Sequence, residues 1–310
     1  MSSPDLSVVI GTFNQRDSLK LVLESLFDQT LSPDLYEIIV VDSSSNDGTK
    51  EMVMELSPDK HLDVNYIRQV NLGRPGARNR GIREAKGKVI FFTDADMIAH
   101  HSLLEMHWLF HQENPGNCLE GLTNNFKDLK AGFKKGNLEP YIKAKVKPHQ
   151  KLTWSYFLTG NLSVPKEVLD RSGGFNQEFA GYGWEDIELG YRISQLKVPL
   201  LYLPEAINYH YHALSEQTNA DRKYKMGISA ALFYSKHPDY TIKLFLGMNP
   251  IAMGIYRLMK AIPRWQKKLE NASYPSGIKG AAIPGLARYL TDEFYYREGL
   301  VEGLAKFNTA

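Results

Sequence analysis

Val89-Ile90-Phe91-Phe92-Thr93-Asp94-Ala95-Asp96 is the stretch on which the fold turns. Four consecutive β-branched or aromatic residues form a run too short for a buried helix, so they read as a strand covered on both faces. The run ends directly in two carboxylates. The same arrangement occurs upstream, where Leu6-Ser7-Val8-Val9-Ile10 leads to Thr12-Phe13-Asn14 and Tyr36-Glu37-Ile38-Ile39-Val40-Val41 leads to Asp42. A third strand, Val64 to Ile67, precedes the loop Asn71-Leu72-Gly73-Arg74-Pro75-Gly76. Amphipathic helices are predicted between the strands, from Ser18 to Phe27, from about Lys50 to Leu56, and through Ala85.

Buried strands alternating with helices predict an α/β fold, a mainly parallel Rossmann-like sheet flanked by helices. Ligands of such sheets bind outside the carboxyl ends of the strands. Every polar cluster named above lies at such an end, so one crevice collects them. Beyond about Gly121 the alternation stops, and Lys127 to Lys151 is lysine-rich and reads as a mobile excursion. Order returns from Trp154 to the strand end His210-Tyr211-His212. From Ser215 to Ala310 the chain reads as a helical C-terminal appendage. The expected domains are therefore 1–214, divided into a nucleotide-binding half (1–120) and an acceptor or catalytic half (121–214), and 215–310.

The 310 residues are 43% hydrophobic with a formal charge of +2, which argues for a globular chain and against nucleic acid as a partner. The single cysteine, Cys118, rules out an intrachain disulfide and fits a reducing, cytoplasmic setting; its surroundings read as strand packing. The N-terminus lacks the basic region of a signal peptide, and no stretch approaches the roughly 18 apolar residues of a membrane span. A peripheral position at the inner face of the membrane stays open. Ile251 to Ile262, with Arg257, Lys260, Arg264, Lys267 and Lys268, has a basic amphipathic cast that suits either packing on the catalytic domain or lying on an anionic bilayer.

An Asp-x-Asp is common in solvated turns; at the end of a buried strand it offers two hard oxygen ligands to Mg²⁺ or Mn²⁺ bridging a phosphate. Gly73 to Gly81 opens a helix with glycines and the arginines Arg74, Arg78 and Arg80, a setting for a diphosphate. Asp42 and Asp47 flank a serine-rich turn where a carboxylate can accept from a base or a ribose hydroxyl, and Thr12 and Asn14 are placed to line a base pocket; Asp47-Gly48 also reads as a plain Asx-turn. Gly173 to Asp186 brings a glycine-rich aromatic loop, with Trp184, onto Glu185 and Asp186 at a helix start. These are either first-turn acids favoured by the helix dipole or a general base with its neighbour. His210 and His212 share one face of their strand, and either can complete a metal shell.

Together these residues resemble the family 2 glycosyltransferases over about Leu6 to His212, and Gly173 to Tyr191 is similar to the C-terminal galactosyltransferase segment found in β-1,4-galactosyltransferases and chondroitin-type polymerases. The resemblance implies a GT-A fold and an inverting transfer of a sugar from a nucleotide-diphosphate sugar, expected to be a UDP-sugar such as UDP-Gal, UDP-GalNAc or UDP-Glc. The acceptor is a hydroxyl on a glycan, a lipid-linked sugar or another molecule. It implies Asp42 and Arg78 as nucleotide contacts, Asp94 and Asp96 as the metal-binding pair, Asp186 as the base and Glu185 as a sugar contact. Gly160-Asn161 corresponds to a loop near the donor sugar, and one of His210 and His212, with His212 slightly favoured, to the metal-binding histidine. Ile187 departs from the galactosyltransferase pattern, which leaves the donor sugar open. Two rivals remain: a sugar-nucleotide nucleotidyltransferase, although Thr12-Phe13-Asn14 is not its glycine-rich loop, and a noncatalytic carbohydrate-binding or membrane-surface protein.

Overall fold

The computed structural model describes residues 4–56, 64–126, 138–140, 146–211, 219–262 and 284–307. In chain order the elements are β1 (Leu6–Thr12), α1 (Arg16–Phe27), β2 (Tyr36–Asp42), α2 (Thr49–Leu56), β3 (Val64–Arg68), α3 (Gly73–Glu84), β4 (Val89–Asp94), β5 (Met97–Ala99) and α4 (Leu103–Glu113). They continue with β6 (Cys118–Phe126), β7 (Leu138–Pro140), β8 (Lys151–Leu152), β9 (Leu162–Pro165), α5 (Lys166–Ser172), α6 (Glu185–Gln195) and β10 (Leu200–His210). Four helices follow: α7 (Asn219–Lys236), α8 (Tyr240–Phe245), α9 (Pro250–Ala261) and α10 (Pro284–Lys306).

The strands form one sheet in the order β3-β2-β1-β4-β9-β6-β10-β5, with β7 on β6 and β8 on β10. Strands β3, β2, β1 and β4 are parallel, as their strand-loop-helix pattern predicts. Their continuous apolar runs have a direct cause. Val8, Ile10, Ile38, Val40 and Phe91 point to one face, under α1, while Val9, Ile39, Val41, Ile90 and Phe92 point to the other, so neither face meets water. Helix α1 supplies Leu19, Val22, Leu23 and Leu26, one face of a 3.6-residue period.

Past β4 the sheet is mixed rather than mainly parallel. Strand β9 runs antiparallel between β4 and β6, β5 runs antiparallel to β10, and only the β6–β10 pair is parallel. An apolar run such as Leu162-Ser163-Val164-Pro165 carries no mark of its direction. Cys118 is buried at the start of β6, where burial pushes its thiol far above the ordinary range, so it packs and does not react. Of the lysine-rich stretch 127–151, residues 127–137 and 141–145 lie outside the described residues.

Two compact units emerge, Met1–Ala180 with Glu185–Leu214, and Gly181–Trp184 with Ser215–Ala310. In the second, α7 and α10 pack closely enough that a Cβ on Gly227 would lie 2.0 Å from the carbonyl of Tyr296. No helix among the described residues is long and apolar enough to cross a membrane.

Beneath the sheet, α4 places His107 and His111 one turn apart. His107 Nδ1 lies 2.8 Å and His111 Nε2 2.7 Å from Ser163 Oγ, and His107 Nε2 lies 3.0 Å from Asn161 Oδ1. Burial lowers the two imidazoles to about 4 and about 3. Both fold as neutral rings, so the stability they contribute is complete above the unfolded histidine value of about 6.5 and is lost as pH falls towards 4. The melting temperature is expected to drop steeply over that window in the wild type and less steeply in His107→Gln; equal slopes by circular dichroism would contradict this.

Candidate active site

Three neighbouring strands deliver the first half of the site. Thr12 pairs with Asp42 and Gly11 with Asp94, so Asp42, the end of β1 and Asp94 stand side by side at one sheet edge. With strands about 4.8 Å apart, the two acids are separated by about 10 Å, a span suited to a nucleoside at one end and its phosphates at the other.

At the outer end, Asp42 is buried. Its Oδ1 accepts the N–H of Ser45 at 2.8 Å and its Oδ2 the hydroxyl of Tyr66, so its carboxylate shapes the serine-rich turn. Burial and then Asp42 hold the Tyr66 phenol above its usual range. Asn14, exposed and in the left-handed region (φ 53°), accepts the N–H of Asn46 at 2.9 Å, joining the loops that follow β1 and β2. Thr12 Oγ1, at the end of β1, is buried with no hydrogen-bond partner among the described residues. Asp47 is the Asx-turn: its Oδ1 accepts from Thr49 Oγ1 at 2.5 Å and its Oδ2 from the Arg16 N–H at 2.9 Å.

At the inner end, Arg78 has a task the sequence does not announce. Its side chain is buried, and its guanidinium forks, Nη2 donating to Asp94 Oδ1 at 2.9 Å and Nη1 to Glu185 Oε1 at 3.0 Å. It therefore links the end of β4 to the start of α6 instead of standing open to a diphosphate. Phe175 lies against it, 5.5 Å from the guanidinium carbon to the ring centre. Burial alone disfavours ionised Asp94, but Arg78 and then Arg74 outweigh it and hold the carboxyl below the usual range. Arg74, one turn earlier on α3 and exposed, lies 4.0 Å from Glu185 Oε1.

Asp186 is the opposite case. Burial, reinforced by Glu185 and offset only in part by Arg78, pushes it up to about 7. Gly183 and Trp184 both take positive φ (85° and 73°) immediately before α6, turning the chain so that the helix starts on these two acids. The loop before it is fastened from two sides: Asn79 exchanges hydrogen bonds with Phe175, 2.7 Å to its carbonyl and 2.9 Å from its N–H, and Arg192 donates to the carbonyls of Ser172 and Gly174. Trp184, expected beside the two acids, directly precedes them in the chain. It belongs to the second compact unit, where its indole N–H donates to Met226 O at 2.9 Å and its ring meets Phe233 and Phe245.

The residues expected to hold a metal are only partly brought together. His210, opposite Met97 in the β10–β5 pair, is carried to Asp96, the residue before Met97; Nε2 and Oδ2 are 3.5 Å apart. Its Nδ1 lies 3.2 Å from Asn125 Oδ1, which orients the ring towards Asp96. Two donors on one octahedral Mg²⁺ or Mn²⁺ keep about 3 Å between them, so this pair and the hard carboxylate fit such an ion. Asp94 Oδ1 is turned to Arg78, and no group of three His, Cys, Asp or Glu side chains is gathered for a metal among the described residues. His212, the histidine slightly favoured by sequence, lies outside them.

Gly160 and Asn161 separate. The Gly160 carbonyl accepts from Asn208 Nδ2 at 2.9 Å, which fixes that loop beside Thr93. Asn161 is fully buried, donating to Leu122 O at 3.1 Å and Ala206 O at 2.9 Å, so its side chain braces the sheet and does not line the crevice. Asn125, Asn208 and Asn79 escape sequence reasoning because an asparagine in a strand or helix carries no mark of its partner.

The family model described as glycosyl transferase family 2 matches residues 7–175, and one described as the N-terminal domain of galactosyltransferase matches residues 140–215. The chain belongs to glycosyltransferase family 2. It is 30% identical over 271 residues to validoxylamine A glucosyltransferase of Streptomyces hygroscopicus subsp. limoneus, covering 78% of this chain and 59% of that one. It is 27% identical over 268 residues to chondroitin synthase of Escherichia coli, covering 76% and 39%. The family 2 chain thus spans less than two thirds of the length of these relatives. In fold it matches a mannosyltransferase from Pyrobaculum calidifontis solved with GDP-Man and Mn²⁺ (TM-score 0.64, 18% identity, 99% of this chain and 88% of that one). It also matches Staphylococcus aureus TarS 1–349 solved with UDP (TM-score 0.58, 18% identity, 97% and 92%). The fold is therefore GT-A, the fold expected of a family 2 glycosyltransferase.

Proposed function

We propose that this chain transfers a sugar from a nucleotide-diphosphate sugar, by preference a UDP-sugar, to an acceptor hydroxyl with inversion at the anomeric carbon. One observation carries the reading: buried Arg78 ties the Asp94 end of β4 to Glu185, next to Asp186, whose carboxyl holds its proton up to about 7. One charge fixes the donor side and the base side of a single reaction. Family membership favours this activity over a nucleotidyltransferase or a noncatalytic binder, and the solved neighbours with UDP or GDP-Man support a nucleotide-sugar donor.

The nucleoside end of the donor sits against Thr12 and Asn14 over the turn shaped by Asp42. Asp96 and His210, with Asp94, would hold a divalent ion, which would neutralise charge on the diphosphate. Arg74 and the N-terminal N–H groups of α3 add donors to the leaving group. Asp186 takes the proton from the acceptor hydroxyl as its oxygen attacks the face of the sugar opposite the nucleotide, giving a β-linkage from an α-linked donor. Glu185, held by Arg78, contacts the transferred sugar.

Asp96→Ala is expected to abolish the Mn²⁺ dependence of UDP binding measured by calorimetry while the fold persists. Dependence retained in the variant would remove Asp96 from the metal site.

A further inference from the structure

Of the thirteen exposed large hydrophobic residues among those described, seven fall within residues 240–262, six in α8 and α9 and one, Ile262, at the C-cap of α9. On α9 they are Ile251, Ile255 and Leu258, at spacings of four and three, so they form one stripe down the helix, with exposed Ile262 capping its end; Ile251 is 77% and Leu258 64% exposed. Tyr240, 74% exposed, and Leu244 and Phe245 extend the apolar surface onto α8. Helix α9 is held by its other side. Tyr256 is buried against Phe294 and donates its hydroxyl to Glu298 at 2.8 Å, and Lys260 Nζ reaches the same carboxylate at 2.8 Å. The stripe is thus presented outward by a helix already fixed on its inner face.

The charges select the partner. Residues 240–262 contain Lys243, Arg257 and Lys260 and no acidic residue. Lys243 and Arg257 are exposed and have no acidic partner among the described residues. The α10 acids on the inner side are engaged, Glu298 by Lys260 and Glu293 by Arg297 at 2.7 Å. An exposed aliphatic stripe flanked by cations, with a tyrosine at its border, matches a bilayer interface carrying negative headgroups, and nothing in it is long or apolar enough to span.

We propose that α8 and α9 form a peripheral docking face for an anionic lipid surface. The proposal is independent of the transferase reading, because partition onto vesicles needs neither donor nor metal. The test is flotation of the full chain with phosphatidylcholine vesicles and with phosphatidylcholine vesicles containing phosphatidylglycerol, alongside light scattering for oligomeric state. The wild type is expected to float with the anionic vesicles, and less as salt is raised. Ile255→Glu with Leu258→Glu, and separately Lys243→Gln with Arg257→Gln, are expected to reduce partition by about tenfold while keeping the far-ultraviolet spectrum, since all four side chains are exposed. Failure of the wild type to bind anionic vesicles would overturn the proposal, as would undiminished binding by both variants. Conversion of a wild-type dimer to a monomer by Ile255→Glu with Leu258→Glu, without vesicle binding, would assign the face to a second copy of the chain.

Discussion

Asp186→Asn is expected to lower sugar transfer by about 10³-fold while leaving the dissociation constant for UDP within about twofold. The amide keeps the shape of the side chain and its place at the start of α6 but cannot accept the acceptor's proton. The wild-type rate should fall as pH drops below about 7, where burial and Glu185 keep Asp186 protonated, and the variant should lose that acid limb. Stability should move the other way. A carboxyl whose folded pKa is raised contributes stability that is present below its unfolded value and lost as pH rises through about 7. At pH 8 the variant should therefore unfold later than the wild type, by on the order of 2 kcal/mol, with the gap closing in acid. Chemical denaturation at the two pH values reads this directly; a loss of UDP binding equal to the loss of turnover would make Asp186 a donor ligand instead.

Arg78→Met is expected to be the most destabilising single change in the site, by about 3–5 kcal/mol, because it leaves Asp94 and Glu185 without the cation they share. Glu185 is buried, so its ionised form would keep only the exposed Arg74, 4.0 Å away, in place of a direct hydrogen bond. The loss should shrink as pH falls and the stranded carboxylates take up protons, which a simple packing defect would not do. Arg78→Lys should recover only part of it, since an ammonium cannot fork between two carboxylates. A melting-temperature loss that is flat across pH 4.5–8 would show that Arg78 acts through packing on Phe175 alone.

Much of this was legible in the residues, and the remainder fails for identifiable reasons. Strands β1 to β4 are readable because each is an apolar run that stops at a polar cluster, and parallel register then forces Thr12, Asp42 and Asp94 to one edge. The antiparallel insertion of β9 is not, because strand direction leaves no trace in composition. Three arginines in Gly73–Gly81 look interchangeable until helical spacing is considered. Arg74 and Arg78 are one turn apart and share the side that meets Glu185, whereas Arg80 points elsewhere and pairs with Glu84 at 3.0 Å. That spacing was available; which of the two is buried was not. The partners of Trp184 leave no mark in the sequence, because Phe233 and Phe245, which its ring meets in the helical unit, lie some fifty residues or more further along the chain. The cast of Ile251 to Ile262 could mean packing or exposure, and only burial tells that Tyr256 is the inward side chain.

The most direct test of the central claim is proton NMR of the purified chain with Mn²⁺ and a panel of α-linked UDP- and GDP-sugars, using water as the acceptor and observing the first sugar released. The account predicts UDP together with the β anomer, and no release from Asp186→Asn. Appearance of the α anomer first, or consumption of a nucleoside triphosphate with release of pyrophosphate, would contradict it.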